Sequence, residues 1–260
     1  MSRFSDSWRV QRNVIQALMI RELNTRFGRE NIGFLWVMVE PLLFAGLVAI
    51  MWRVMKGPEE HGVSIVMFVI SGYIPLTLFR HAVSRCIKVF EVNASLLYHR
   101  QITIFDFLFV RFLIEMIGAM FAFTFIATVL HFFGLFSAPK SMGFLLAGWF
   151  LYSLFTLSLC FMIAPLSEFS DVLEKIIPVT TYIMIPFSGT FNMVEWLPVA
   201  ARPYMLWSPP VSAMEMIRYG LFGDAVYPYY NVSVVFVFSI VCTLIGLVLC
   251  RRVRRRLTVE

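Results

Sequence analysis

The sequence predicts an all-α integral membrane fold: six transmembrane helices, an N-terminal amphipathic interface helix, and re-entrant helices before the last span. Three observations predict it. Of the 260 residues, 59% are hydrophobic and only 15% are charged, where a soluble domain carries about a quarter charged. Six apolar segments, at 33–55, 63–82, 106–133, 142–165, 172–192 and 231–250, each reach the ~20 residues that a helix needs to cross the hydrocarbon core. Basic residues also collect on one side of these segments. With the N-terminus inside, the cytoplasmic side holds Arg3, Arg9, Arg12, Arg21, Arg26, Arg29, Arg80, Arg85, Lys88, Arg100, Lys175 and the arginines of 251–256, against Lys56, Lys140, Arg202 and Arg218 outside. That bias places both termini in the cytoplasm. One membrane domain, 1–260, is expected, with 1–31 as the interface segment, 33–250 as the spans and 251–260 as a cytoplasmic tail.

The N-terminal segment has scattered arginines and no short apolar core followed by a small-residue cleavage site, so it is expected to stay on the chain. Trp8, Ile15, Met19 and Leu23 share one helical face, with Arg9, Asn13, Arg21 and Asn24 mostly opposite; Val10, Leu18 and Ile20 break the pattern. Such a helix would lie in the cytoplasmic interface, either as an anchor or as a lever that receives force from a partner.

In the first span, Glu40-Pro41 lies about 9 Å deep at 1.5 Å per residue. A carboxylate there costs on the order of 3 kcal/mol, so it must face protein or water. Pro41 weakens the backbone ladder beside it. The loop 83–104, "VSRCIKVFEVNASLLYHRQITI", is long and mixes Leu96, Leu97 and Tyr98 with Arg85, Lys88, His99 and Arg100. Exposed apolar residues in a cytoplasmic loop suggest a docking surface, or else a helix bound only to lipid.

On the third span, Arg111 and Glu115 stand four apart on one face. They are expected to pair with each other, or Arg111 with Glu40, or to line a hydrated path. Most aromatics fall at span ends, as interfacial belts do; Tyr73, Tyr152 and Tyr182 lie deeper and are candidates for a path lining. Glu168, Asp171 and Glu174 are expected on a solvated face of the short loop between spans four and five.

The stretch from Met193 to Tyr230 is too apolar for a solvated loop. Pro198, Pro203, Pro209 and Pro210 would interrupt a spanning helix. It reads as short broken helices dipping into the outer half of the membrane, where protein shields them, or as a helix lying flat at the interface. The tail "CRRVRRRL" reads as a cytoplasmic stop and anionic-lipid anchor. The basic residues sit beside membrane segments, so no nucleic-acid partner is expected.

Catalytic and nucleotide signatures are absent from the sequence. No lysine follows a glycine, so no phosphate loop exists. There is no H-E-x-x-H or G-x-S-x-G. Cys86, Cys160, Cys242 and Cys250 lack metal spacing and read as apolar packing residues; no catalytic residue and no metal site are expected. No fixed-period repeat is present and the halves are not inverted copies, which speaks against an ion-coupled carrier.

"IRELNTRFGRENIGFLWVMVEP", from Ile20 to Pro41, resembles the start of the type-2 ABC exporter permeases, nearest to the capsular polysaccharide export permeases of Gram-negative bacteria. "NASLLYHRQI" from Asn93 resembles that family's cytoplasmic loop before span three. "LWSPPVSAMEMIRYGLFG" from Leu206 resembles its outer element, with Ser208 where the family commonly has Asn. The resemblance covers nearly the whole chain.

It implies a homodimer over two separate ABC ATPase subunits, which bind ATP and Mg, with no cofactor in this chain. It implies a lipid-linked polysaccharide as substrate, and a periplasmic polysaccharide co-polymerase and an outer-membrane export protein as further partners. Carried onto this sequence, ATPase coupling falls to Arg21, Arg26, Arg29, Asn93, Leu96, His99 and Arg100. The translocation path or hinge falls to Glu40, Pro41, Tyr73, Arg111, Glu115, Tyr152 and Tyr182. The periplasmic gate falls to Trp196, Trp207, Pro209, Glu215 and Arg218. The expected function is the inner-membrane permease subunit of an ATP-driven capsular polysaccharide exporter. Export of an O-antigen or teichoic-acid-type polymer, or a membrane-embedded transferase acting on lipid-linked sugars, are the alternatives.

Overall fold

A computed structural model describes residues 2–27, 32–93 and 102–257. The described residues are all-α apart from one small hairpin. Its helices are α1 (Ser2–Phe27), α2 (Ile32–Lys56), α3 (Ile65–Cys86), α4 (Val89–Val92), α5 (Ile104–Phe132), α6 (Met142–Phe169), α7 (Asp171–Ile183), α8 (Arg202–Leu206), α9 (Pro209–Phe222) and α10 (Val232–Leu257). The hairpin pairs β1 (Glu59–Glu60) with β2 (Val63–Ser64) antiparallel between α2 and α3. The bundle has a hairpin end and, opposite it, an α4 end.

Among the described residues, four helices are long and apolar enough to cross a membrane: α3, α5, α6 and Val232–Val253 of α10. Two of them form the centre. α3 is buried along nearly its whole length, as a helix surrounded by others must be; α2, α5, α6, α7 and α9 pack around it. α6 packs against α9 and α10. Small residues set these distances. A Cβ on Gly148 would stand 2.6 Å from the Ile217 amide nitrogen of α9, and one on Gly220 would strike the Leu145 backbone of α6. On α10, a Cβ at Gly246 would meet the Phe161 carbonyl of α6 at 2.5 Å. Such small-residue contacts let helices approach where no aqueous hydrophobic drive exists.

Local sequence explains the helix ends. Thr103 and Asp106 form a reciprocal capping box at the start of α5. Pro209 and Pro210 occupy the first turn of α9, where a missing N–H costs nothing. These two prolines therefore begin a helix within the 193–230 stretch, and the shorter α8 likewise has a proline, Pro203, in its first turn.

The structure corrects three expectations. The fifth apolar segment is not a continuous helix. α7 has 13 residues, about 20 Å at 1.5 Å per residue, and stops at Ile183. A 3-10 turn at Ile185–Phe187 and irregular backbone follow. The fourth segment runs past Pro165 to Phe169. Only Ser170 then separates α6 from α7, so no solvated loop carries Glu168, which lies in the last turn of α6. The buried face of α1 also differs. Trp8 is 69% exposed, whereas Leu18 is 6% exposed, and Val14, Ile15, Met19 and Leu23 pack on the core beside it.

Gly220→Val should force α6 and α9 apart and lower the stability of the full chain by about 1–3 kcal/mol. Gly143→Val, where a Cβ meets nothing within 4 Å, should stay within about 0.5 kcal/mol. Thermal melts of the two variants in mild detergent check this, and equal melts would rule out the close approach.

Candidate functional site

At the α4 end, α1 runs beside α5 in the same chain direction, and the contacts follow in order. The Gln11 amide donates to Asp106. The Arg21 guanidinium donates to Asn93 Oδ1 at 3.0 Å. Glu22 pairs with Arg111 at 3.0 Å, and Arg26 pairs with Glu115 at 2.5 Å. The side-chain amide of Asn93 is in turn bound to the Val89 carbonyl of α4, at 2.8 Å. Thus Arg21 and Asn93, two of the coupling candidates, are joined directly.

Glu115 is the hub. It is 3% exposed and takes Arg26 from α1 and Arg85 from α3, the latter at 2.7 Å. His81 Nδ1 stands 3.8 Å away, and His81 Nε2 faces Glu40 of α2 at 3.5 Å. One carboxylate therefore gathers groups from α1 and α3 onto α5. Burial pushes the Arg26 guanidinium below its ordinary value, while Glu115 pulls it back up. The expected pairing of Arg111 with Glu115 or with Glu40 is replaced. Arg111 pairs with Glu22 and donates to the Arg85 carbonyl at 2.7 Å, because α1 brings opposite charges alongside both residues.

Glu168 makes a second anchor at this end. Its Oε1 accepts the backbone N–H groups of Phe90 at 3.0 Å and of Glu91 at 3.3 Å. Ser167 Oγ accepts the Lys88 N–H at 3.0 Å, and the Lys88 ammonium reaches Asp171 at 3.1 Å. Its bonds to Asp171 and then Glu91 raise the Lys88 ammonium above its ordinary value. α4 is thereby seated on the elbow between α6 and α7.

Toward the hairpin end, Arg218 of α9 is fully buried. Its Nη1 donates to the carbonyls of Gly189 at 2.7 Å and Asn192 at 2.9 Å, and its Nη2 to that of Thr190 at 2.6 Å. Its guanidinium lies 4.0 Å from the Phe68 ring of α3. Glu215, one turn earlier, accepts the Val194 N–H at 3.0 Å. These two side chains satisfy the irregular backbone after α7. Gly72 of α3 leaves room for them, since a Cβ there would collide with the Thr190 carbonyl and come within 2.9 Å of Arg218 Nη2.

The remaining candidates are dispersed. Tyr152 is enclosed in the core and its hydroxyl has no partner among the described residues. Tyr73 is buried and stacks on Phe44 of α2 at 4.6 Å. Tyr182 is 56% exposed. Pro41 is buried within α2, and Glu40 beside it is exposed. Trp196 packs on Phe68 at 4.7 Å and on His61 at 5.4 Å, whereas Trp207 is 77% exposed. Pro209 is buried at the start of α9. Arg29, Leu96, His99 and Arg100 lie outside the described residues.

Sequence reasoning missed Gln11, Glu22, His81, Arg85 and Asp106, and gave Glu168 no structural role. One signal was there to be read. Glu22–Arg26 and Arg111–Glu115 are complementary pairs at the same spacing, which suits crosswise pairing between parallel helices.

A family profile described as "ABC-2 type transporter" matches residues 13–222. The chain is 36% identical over 248 residues, 95% of its own length and 94% of the relative's, to the capsule polysaccharide export inner-membrane protein BexB of Haemophilus influenzae. It is 37% identical over 244 residues, 94% and 92% of the two lengths, to the capsule polysaccharide export inner-membrane protein CtrC of Neisseria meningitidis serogroup B. It is 24% identical over 247 residues, 93% and 94% of the two lengths, to the polysialic acid transport protein KpsM of Escherichia coli.

Glu115→Ala removes the carboxylate that Arg26 and Arg85 share and should lose about 3–5 kcal/mol, whereas Arg26→Ala leaves Glu115 paired with Arg85 and should lose less. The double variant should lose at least about 1 kcal/mol less than the sum of the two. Melts of the full chain in mild detergent measure the cycle, and strict additivity would remove the pair from the account.

Proposed function

The chain belongs to the ABC-2 type transporter family, and from that premise we propose that it is the transmembrane permease subunit of an ATP-driven exporter. Its cargo is lipid-linked capsular polysaccharide, moved across the bacterial inner membrane. The observation that carries this is the similarity to capsule polysaccharide export inner-membrane proteins, at 36–37% identity over nearly the full length of both chains. The same names favour capsule over an O-antigen or teichoic-acid-type polymer.

In this proposal the whole chain is one multi-pass permease domain with both termini cytoplasmic. α3, α5, α6 and α10 are four of six spans; α2 is another, and α7 with the irregular backbone after it is the sixth. α8 and α9 are the re-entrant element, and α1 is the interface helix. The α4 end faces the cytoplasm, as the basic residues there and in the tail support. Two copies form the canal. Two ABC ATPase subunits bind ATP and Mg and dock on α1 and on the loop that follows α4. A periplasmic polysaccharide co-polymerase and an outer-membrane export protein continue the path. The chain itself carries no catalytic residue.

The bonds at the α4 end explain how such a permease would respond. Force applied at the loop after α4 passes through Asn93 and Arg21 to α1, then through Arg26 and Glu115 to α5. It passes equally through Glu168 and Lys88 to the α6–α7 elbow. Export then requires that ATP binding favour one arrangement of these elements over another, and the ionic contacts make them move together.

Three outcomes test this. Deleting the chain should abolish surface polysaccharide. The chain purified from its native host in mild detergent should bring a separate P-loop ATPase with it in equal amount. Glu168→Leu should leave that ATPase bound while surface polysaccharide falls several-fold, measured by quantitative immunoblot of whole cells. Export at wild-type level in Glu168→Leu would exclude the α6–α7 branch.

A further inference from the structure

Arg80 differs from the arginines that tie the bundle together. Arg26, Arg85, Arg111, Arg202 and Arg218 each hold a carboxylate, a carbonyl or a hydroxyl. Arg80 makes no ion pair and no hydrogen bond among the described residues, and its Nε is buried without a partner. Its guanidinium lies on the ring of Tyr182, 4.1 Å from the centroid.

The direction of the side chain matters. Arg80 is six residues from the end of α3 at Cys86, about 9 Å at 1.5 Å per residue. Tyr182 is eleven residues into α7 from Asp171, about 16 Å from the same end. The Lys88 N–H on Ser167 and its ammonium on Asp171 put the end of α3 and the start of α7 at the same end of the bundle. The guanidinium is thus aimed deeper into the bundle. An arginine bordering lipid does the opposite and snorkels its charge outward.

Its surroundings are polar on one side only. Tyr73, Thr77, Arg80 and Ser84 recur at helical spacing along α3. Arg80, Glu40 and Tyr182 are the charged and titratable groups around the Tyr73 hydroxyl. Glu40 faces His81, so it leaves Arg80 free of a carboxylate. The flanking faces of α2 and α7, with Leu43, Leu47, Ile176 and Val179, are exposed and apolar.

A half-buried guanidinium aimed inward on an aromatic ring is a site for an oxyanion, since planar N–H forks bind phosphate and carboxylate and the ring holds the cation in place. Resting on the export function proposed above, we infer that Arg80, positioned by Tyr182, grips an acidic group of the exported molecule, a phosphate ester or a carboxylate, on the α3–α7 face. The exposed apolar strips on either side suit the lipid part of such a molecule.

The test uses the full chain in neutral detergent and a fluorescent short-chain phosphatidylglycerol as probe. Arg80→Gln should weaken binding about tenfold, the equivalent of about 1.4 kcal/mol. Arg80→Lys should recover part of it, Tyr182→Phe should bind as wild type, and Tyr182→Leu should bind more weakly. A diacylglycerol probe of the same chain length, which carries no oxyanion, should bind every variant alike. Competition by inorganic phosphate assigns recognition to the bare oxyanion, and its failure to compete assigns it to a lipid-borne one; either outcome keeps the site. Equal phosphatidylglycerol binding by wild type and Arg80→Gln overturns it. In cells, Arg80→Gln should lower surface polysaccharide at unchanged membrane level of the chain. Lost binding with normal surface polymer would assign the site to bulk lipid and refute the link to cargo. If deletion of the chain leaves the coat intact, export is not its task, and the binding comparison still decides the anion site.

Discussion

A bundle this apolar must satisfy its polar groups from within, and that constraint shapes both ends of the molecule. Water cannot complete the backbone of a broken helix inside a hydrocarbon layer. The chain nevertheless stops α7 at Ile183 and runs irregularly to Val194. It can do so because Arg218 supplies donors to three carbonyls of that stretch and Glu215 accepts an N–H from its far end. The helix that carries them, α9, is held against α6 by Gly148 and Gly220. A buried arginine without these acceptors would be strongly unfavourable; with them it becomes the tie between α9, α3 and the broken segment.

The same rule organises the α4 end. Glu115 would be a buried charge on α5 if α1 and α3 did not bring Arg26 and Arg85 to it. Each helix thereby completes an otherwise unfavourable group on another. Pairs of this kind add little net stability, yet breaking one is costly, so they join elements firmly in one geometry. Glu168 does likewise for α4, whose first N–H groups have no acceptor within so short a helix. In an exporter these joints are where a motor on one side would take hold, and Arg80 is a half-buried cation that they do not use.

Much of this was legible in the residues, and the exceptions have physical reasons. Span positions followed from hydrophobic length, and α3, α5, α6 and α10 appear where apolar runs required them. On α1, Ile15, Met19 and Leu23 pack on the core as their spacing predicts, while Trp8 is exposed and Leu18 buried, because the buried side also carries Glu22 and Arg26. Those charges flatten the apolar contrast that sequence periodicity measures. Glu168 looked solvated because it sits among Asp171 and Glu174, and its partners are backbone amides that no side-chain pattern announces. Pro209 and Pro210 bar a continuous span through 193–230 and also begin α9, because position within a helix decides whether proline breaks it or begins it.

What the sequence determined by itself is the solvent, the helical class and the family, because length, hydropathy and local motifs are properties of neighbouring residues. Tertiary structure alone decided the partners of the charges. Arg218 meets Gly189 and Thr190 across 29 and 28 positions, and Arg26 meets Glu115 across 89. Nothing local selects one acceptor among many at such separations. The choice is made when packed helices, brought to contact distance by residues such as Gly72 and Gly220, leave each buried charge only one place to go.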